Sequence, residues 1–120
     1  MPSPRSRLGR SAEIAAAAEL GNRGYRIIAS NYRCKYGEID LIAEEGDSLV
    51  FVEVRCKRTG EFGSPAESVT AAKQSKLIAT AEHYLDEQGL SDVNCRFDVV
   101  EVRPTGGKLT AEVIKDAFSV

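Results

Sequence analysis

The stretch KYGEIDLIAEEGDSLVFVEVRCKR, residues 35–58, decides the fold because it has the pattern of two strands joined by a tight turn. Gly46-Asp47 is a typical hairpin signal between two runs rich in branched apolar residues. A two-residue loop and a four-residue loop from Glu45 to Ser48 give the same strand register, whereas a three-residue loop would shift it by one. The stretch therefore predicts an antiparallel hairpin.

In the register shared by the two loops, Asp40 lies opposite Glu53, and Glu38 lies opposite Arg55. Directly opposed side chains on one face have Cβ atoms about 4.5–5.5 Å apart, where like charges destabilise the pair. Strand alternation adds Lys57 to the face of Glu53. The hairpin is thus expected to carry two close carboxylates beside two cations.

Two carboxylates at that distance suit an oxygen-preferring divalent cation such as Mg²⁺ or Mn²⁺, which would remove their repulsion. Such a metal polarises a phosphoryl oxygen, and a nearby cation offsets the charge that develops on the phosphate. This combination predicts phosphodiester hydrolysis. The alternative is a half-exposed hairpin with ordinary surface ion pairs, each worth about 0–1 kcal/mol.

Length and composition favour one domain spanning residues 1–120, with residues 1–8 as a flexible basic arm. A net charge of −2 argues against a strongly basic nucleic-acid binder. No run approaches the roughly 20 apolar residues of a membrane helix, and no secretion signal is evident, so we expect a cytoplasmic location without membrane contact. The three cysteines are widely spaced, which favours buried reduced thiols over a zinc or disulfide framework.

The rest of the chain alternates between helical and strand patterns. A helix is predicted from Ser11, a candidate N-cap, to an end near Gly21 or Gly24, and a second is predicted over residues 65–88. Strand patterns occupy residues 25–33 and 95–103, and the C-terminus after the PTGGK turn is a short strand or a helix end. We therefore expect an α/β fold with a mixed central sheet of about four or five strands flanked by helices.

Four motifs together resemble the YraN family of bacterial endonuclease-like proteins: GEIDLIA, VFVEVRCKR, AESVTAAKQSKL and RFDVV. The likeness covers nearly the whole chain, from about residue 9 to residue 118. It implies a restriction-endonuclease-like fold similar to that of archaeal Holliday junction resolvases. In such nucleases an Asp followed by Glu-x-Lys binds the catalytic metal.

Carried over by position, the resemblance makes Asp40 and Glu53 ligands for Mg²⁺ or Mn²⁺, with Glu13 of the first helix as a further acidic ligand. Arg55 stands where these nucleases have lysine. Because arginine keeps its proton, it can stabilise phosphate charge but cannot act as a general base. Lys57, on the same face by alternation, is the alternative catalytic cation.

Basic side chains elsewhere are candidate contacts for a phosphate backbone. Lys73 and Lys76 are three positions apart on the second helix and can act together, although solvated helix charges are commoner. The full set of expected nucleic-acid contacts is Arg33, Lys35, Arg58, Lys73 and Lys76.

Two further predictions concern the tyrosines and Asp98. The tyrosines Tyr25, Tyr32 and Tyr36 are candidates for stacking on bases, although strand aromatics more often belong to the core. Asp98 alternates with apolar neighbours in its strand, so its side chain faces away from theirs. We expect it to be structural or to orient a residue of the site by contacting it.

The leading functional prediction is a metal-dependent DNA endonuclease, with branched or structured DNA as its expected substrate. The first alternative is a non-catalytic accessory protein that binds nucleic acid or a protein partner on the same scaffold. The second is a structural protein with an incidental acidic pair. Nucleic acid is the expected partner, and both a monomer and a homodimer fit the sequence.

Overall fold

The computed structural model describes residues 4–57 and 69–118, which form two helices and five strands. In chain order the elements are α1 (Pro4–Asn22), β1 (Arg26–Cys34), β2 (Gly37–Glu45), β3 (Ser48–Cys56), α2 (Ala71–Glu87), β4 (Asn94–Thr105) and β5 (Lys108–Phe118). The predicted α/β class is confirmed.

The five strands form one sheet in the order β1-β2-β3-β4-β5. All neighbours are antiparallel except β3 and β4, which run parallel. A parallel pair requires a crossover connection, and α2 lies in that connection. The sheet is therefore mixed and flanked by helices, as the sequence and the resemblance predicted.

Each face of the sheet is covered by one helix. Helix α1 packs one alanine-rich stripe, Ala12, Ala16 and Leu20, against the sheet, and all three side chains are fully buried. Their spacing of four residues puts them on one helix face, and the small alanines allow a close approach. Within the described residues, neither helix is long and apolar enough to cross a membrane.

Helix α2 covers the other face and is fixed at its start by a side-chain cap. Thr70 accepts a hydrogen bond from the Lys73 backbone N–H at 3.3 Å, which satisfies one of the free donors of the first turn. Thr80 is buried where α2 passes the start of β2. A Cβ at Gly37, whose φ is +152°, would lie 3.2 Å from the Thr80 hydroxyl, so glycine permits this close approach.

The two ends of the chain differ from the prediction. Helix α1 begins at Pro4, so Ser11 lies inside the helix and residues 4–8, expected in a flexible arm, are helical. Proline fits the first helical turn, and the following arginines are good helix formers. The C-terminal segment is a full strand of 11 residues. Helix α2 begins at Ala71, and the predicted residues 65–68 lie outside the described part of the chain.

The prediction of buried cysteines is wrong for two of the three. Cys56 and Cys95 are exposed and Cys34 is partly buried, and all three are free thiols. Cys56 ends β3 and Cys95 is the second residue of β4. Strand ends are covered less completely by the helices than strand centres.

Asp98 is structural. Its fully buried carboxylate accepts hydrogen bonds from the Tyr25 hydroxyl at 2.7 Å and from Arg96 Nε at 3.0 Å. Arg96 also donates to Glu45 at 2.6 Å, and the Asp116 backbone N–H donates to Asp98 at 3.0 Å. These bonds satisfy a buried charge that would otherwise be costly. Asp98 points to the α1 side, away from its apolar neighbours, as strand alternation predicted.

Candidate active site

The predicted hairpin register is confirmed. Strands β2 and β3 pair from Glu45–Ser48, next to the turn, to Leu41–Val52. The turn uses Gly46 with φ at +57°, a left-handed conformation that glycine adopts without strain. The sequence therefore placed every residue of this part of the hairpin opposite its correct partner.

The expected backbone pair between Asp40 and Glu53 does not form, because pairing of β2 with β3 ends one position earlier. Beyond that point, within residues 4–57 and 69–118, β2 pairs with β1 alone and β3 with β4 alone. The Asp40 carboxylate enters the opening, where its Oδ2 accepts a hydrogen bond from the Val54 backbone N–H at 2.7 Å. A side chain thus replaces the missing backbone partner, and it fixes Asp40 beside Glu53.

Asp40 and Glu53 are mostly buried and share a side-chain hydrogen bond. Burial, followed by the Asp40 charge and that hydrogen bond, raises the pKa of Glu53 to about 8. Burial also raises the pKa of Asp40, while the bonds from Val54 and Glu53 oppose the increase. Two adjacent carboxylates cannot both ionise easily. The pair therefore holds one proton at neutral pH.

Two cations act on this pair from different elements. Arg55, two residues after Glu53 on β3, lowers the pKa of both Asp40 and Glu53 through its charge. Lys73, in the first turn of α2, lowers the pKa of Glu53 in the same way. The structure thus brings together both predicted acids, the arginine in the lysine position and one predicted phosphate contact.

Helix α1 adds a third carboxylate. Glu13 is partly buried, and its pKa is raised first by that burial and then by the negative charge of Asp40. A side-chain hydrogen bond to Asn31 acts in the opposite direction. Asn31 is one of the few non-glycine residues in the left-handed region, with φ at +53°. In β1 it lies between Ser30, which pairs with Leu41, and Tyr32, which pairs with Ile39. Asn31 is therefore next to Asp40 of β2.

Sequence reasoning missed two residues of this site. Glu38 was expected opposite Arg55, but it pairs with Arg33 on β1 and forms an ion pair with Arg33 Nε at 3.3 Å. Its charge raises the pKa of both Asp40 and Glu13. Asn31 was the other omission. The only signal for it was an asparagine, a poor strand former, within a strand pattern.

The carboxylates fit a divalent cation only in part. Across residues 4–57 and 69–118, no three His, Cys, Asp or Glu side chains are grouped closely enough to hold a metal ion. Glu13 therefore does not complete a three-ligand set with Asp40 and Glu53 in this geometry. The Asp40–Glu53 pair by itself matches Mg²⁺, which is commonly held by one or two carboxylates plus water and substrate phosphate.

Lys57 directly follows the last residue of β3 and is engaged by a buried acid. Its Nζ is 3.8 Å from Oε2 of Glu101 on β4, and Arg103 also forms an ion pair with that carboxylate. Glu101 is only 3% exposed, so it needs such cationic partners. The structure therefore places Lys57 in an ion-pair cluster with Glu101 and Arg103 of β4.

The other predicted nucleic-acid contacts are distributed around the start of β2. Lys76 is exposed on α2, with its Cβ against Gly37. Lys35 is exposed in the β1–β2 turn, where its Nζ lies 5.2 Å from the centroid of the Tyr36 ring. Arg58 lies outside the described residues.

Comparison with known proteins supports the resemblance along the chain. The model of the uncharacterised protein family UPF0102 matches residues 12–102, a range that includes Asp40 and Glu53. The UPF0102 protein of Symbiobacterium thermophilum is 51% identical over 113 residues, covering 93% of this chain and 96% of the relative. That of Desulforapulum autotrophicum is 46% identical over 118 residues, or 98% of both chains. That of Moorella thermoacetica is 47% identical over 120 residues, covering 98% and 100%. The chain therefore belongs to family UPF0102, the YraN family.

Proposed function

We propose that this protein is a metal-dependent endonuclease acting on DNA. The observation that carries the proposal is the Asp40–Glu53 pair, two largely buried carboxylates that share one proton at the opening between β2 and β3. A structural ion pair would join opposite charges. Two carboxyl groups that share one proton in a site are typical of groups that exchange a proton for a metal ion.

Asp40 is well suited to hold a cation because the Val54 N–H uses only one of its oxygens. A bound Mg²⁺ or Mn²⁺ would supply polarisation of a phosphoryl oxygen and activation of water. Glu53 completes the pair after losing its proton. The oxygen preference of both metals matches these two ligands.

Arg55 and Lys73 provide positive charge on the protein side of the site. In this role Arg55 binds the scissile phosphate and stabilises the charge that increases in the transition state. It does not remove a proton, since a guanidinium stays charged. Lys73 approaches from α2 and binds a phosphate oxygen or a neighbouring phosphate.

The second candidate function is DNA binding without cleavage, and Arg55 is the observation that favours it. Where related nucleases are expected to have lysine, this chain has a side chain that cannot act as a base. Lys57, the alternative cation, is engaged by the buried Glu101. The same scaffold then serves to bind DNA alone.

Cleavage assays distinguish the two functions. Purified wild-type protein is incubated with labelled duplex, flap, single-stranded and four-way-junction DNA, with Mg²⁺, Mn²⁺ or EDTA. We expect metal-dependent cleavage by wild type and a loss of about a hundredfold or more in Asp40→Asn and Glu53→Gln, since each removes a preorganised charge. Asp47→Asn, an exposed residue at the opposite end of the hairpin, is the matched control.

Two outcomes would contradict the nuclease proposal. Cleavage that persists unchanged in Glu53→Gln would come from a contaminant or another site. Wild-type protein that binds these substrates without cutting any of them would support the non-catalytic function.

A further inference from the structure

Tyr36 differs from the other two tyrosines of the β1 region because its ring is open to solvent. Tyr25 is 5% exposed, and Tyr32 packs edge-on against Tyr84 at 5.2 Å between ring centroids. Tyr36 is 45% exposed and lies in the turn between β1 and β2. An exposed aromatic ring of this kind is available for a ligand with a flat face.

Two cationic or protonatable side chains flank the Tyr36 ring. Lys35 Nζ lies 5.2 Å from its centroid, and the His83 ring meets it edge-on at 5.8 Å between centroids. Lys35 can contact a phosphate while the tyrosine ring contacts a base, whereas His83 Nε2 lies 3.7 Å from the Glu87 carboxylate. Aromatic rings interleaved with positive charge are typical of surfaces that bind single-stranded nucleic acid.

One face of α2 connects Tyr36 to the candidate active site. Lys73, Lys76, Thr80 and His83 follow one another at intervals of three or four residues, so they lie on the same helix face. Lys73 acts on Glu53. Lys76 and Thr80 lie against Gly37, the residue after Tyr36. The side chain of Thr80 is buried beneath Gly37, so we call the remaining residues of the row, Lys73, Lys76 and His83, together with Lys35 and Tyr36, the α2 track.

The length of the α2 track fits a short nucleotide segment. From Lys73 to His83 the helix rises about 15 Å, at 1.5 Å per residue. That distance corresponds to about four nucleotides at the rise of one strand of B-form DNA. A strand whose scissile phosphate is at Glu53 can therefore reach Tyr36 with a base a few nucleotides away.

We propose that the α2 track binds an unpaired nucleic-acid segment and that Tyr36 stacks on one of its bases. The proposal rests on the proposed function and specifies its substrate: DNA with unpaired nucleotides beside the cleaved phosphate. In an intact duplex the bases stack on one another, so their faces are closed to a side chain. Tyr36 would thereby favour single-stranded, flapped or frayed DNA over continuous duplex.

The test uses Glu53→Gln protein in EDTA, so that binding is measured without cleavage. The probe is a 12-nucleotide single strand with 2-aminopurine at one position at a time, compared with a blunt duplex of the same sequence. We expect quenching at one or two positions. Tyr36→Ala should abolish that quenching and weaken single-strand binding by about 5- to 150-fold, the range for losing one base–aromatic stack.

Two variants control this test. Tyr36→Phe retains the ring and should keep both affinity and quenching. Leu90→Ala removes a comparably exposed apolar side chain, 40% exposed and outside the track, and should change neither. Thermal unfolding of each variant verifies that the fold is intact, and duplex binding should be unaffected throughout.

The proposal is overturned if Tyr36→Ala binds and quenches the single strand as the parent protein does, or if it loses duplex and single-strand binding equally. Unchanged Tyr36→Ala binding together with metal-dependent cleavage by wild type would overturn this inference and leave the proposed function intact. Absence of any nucleic-acid binding at low salt would overturn both.

Discussion

Replacing Glu53 with Gln should make the metal-free protein less sensitive to alkaline pH. Burial and the neighbouring Asp40 raise the pKa of Glu53 from 4.5 to about 8. The folded protein therefore keeps a proton that the unfolded chain releases. This contribution to stability is complete below pH 4.5 and is lost as the pH rises toward 8. Glutamine resembles the protonated acid and has no charge to gain.

The size of the effect follows from the interval between the two pKa values. At about 1.36 kcal/mol per pH unit, the interval from 4.5 to about 8 corresponds to at most about 5 kcal/mol. The total free energy of unfolding of a small domain is about 5–15 kcal/mol, so the titration of Glu53 can change a large part of it. Binding of Mg²⁺ at pH 8 should restore part of it, because the cation replaces the lost proton.

Urea unfolding in EDTA at pH 5, 6, 7 and 8 measures this effect for wild type, Glu53→Gln and the exposed control Asp47→Asn. Groups outside the Asp40–Glu53 pair titrate equally in all three proteins, so the difference between wild type and Glu53→Gln reports the titration of this pair. We expect wild type to lose a few kcal/mol relative to Glu53→Gln between pH 5 and 8. Parallel pH profiles for the two proteins would show that Glu53 does not have a raised pKa in the folded protein.

Three further predictions concern metal, salt and Arg55. Titration calorimetry at pH 7 should show that Mn²⁺ binds with release of about one proton, and that Asp40→Asn and Glu53→Gln bind it much more weakly. Equal affinity in all three proteins would show that the metal does not bind to this pair. DNA binding should weaken steeply with salt, and replacing Lys73 and Lys76 with Ala should flatten the slope by up to about two; an unchanged slope would place the binding surface elsewhere. In the cleavage assay Arg55→Lys should be at least as active as wild type and Arg55→Met about a hundredfold slower; full activity of Arg55→Met would exclude a charge role.

The sequence predicted the hairpin well because local rules determine it. Turn chemistry fixed the register from Glu45–Ser48 to Leu41–Val52, and strand alternation placed Glu53 and Arg55 on one face. The mixed sheet flanked by helices followed from the order of the helix and strand patterns and from the family resemblance. These features depend on neighbouring residues or on patterns that recur in many proteins.

The details of the site depended on contacts between distant elements. The end of β2–β3 pairing at Leu41, and the Asp40 bond to Val54 that replaces it, result from the separation of two strands within the sheet. The left-handed conformation of Asn31 beside Asp40 likewise depends on a contact between two strands. No rule of periodicity or propensity predicts where a sheet opens, so these contacts appear only in three dimensions.

The termini were mispredicted for a different reason. A capping residue such as Ser11 competes with a proline and arginines upstream that also favour helix, and in α1 the upstream residues determined the start. The long C-terminal strand is stabilised by pairing with β4, a tertiary interaction that short apolar runs do not reveal.

Anomalous scattering from crystals of the wild-type protein grown with Mn²⁺ shows whether Asp40 and Glu53 bind a metal ion together. We expect one strong peak between Asp40 and Glu53, within bonding distance of a carboxylate oxygen from each, and its absence from Glu53→Gln crystals under the same conditions. An ordered Asp40–Glu53 pair still joined by its hydrogen bond, with no peak between the two carboxylates in wild type, would contradict this prediction.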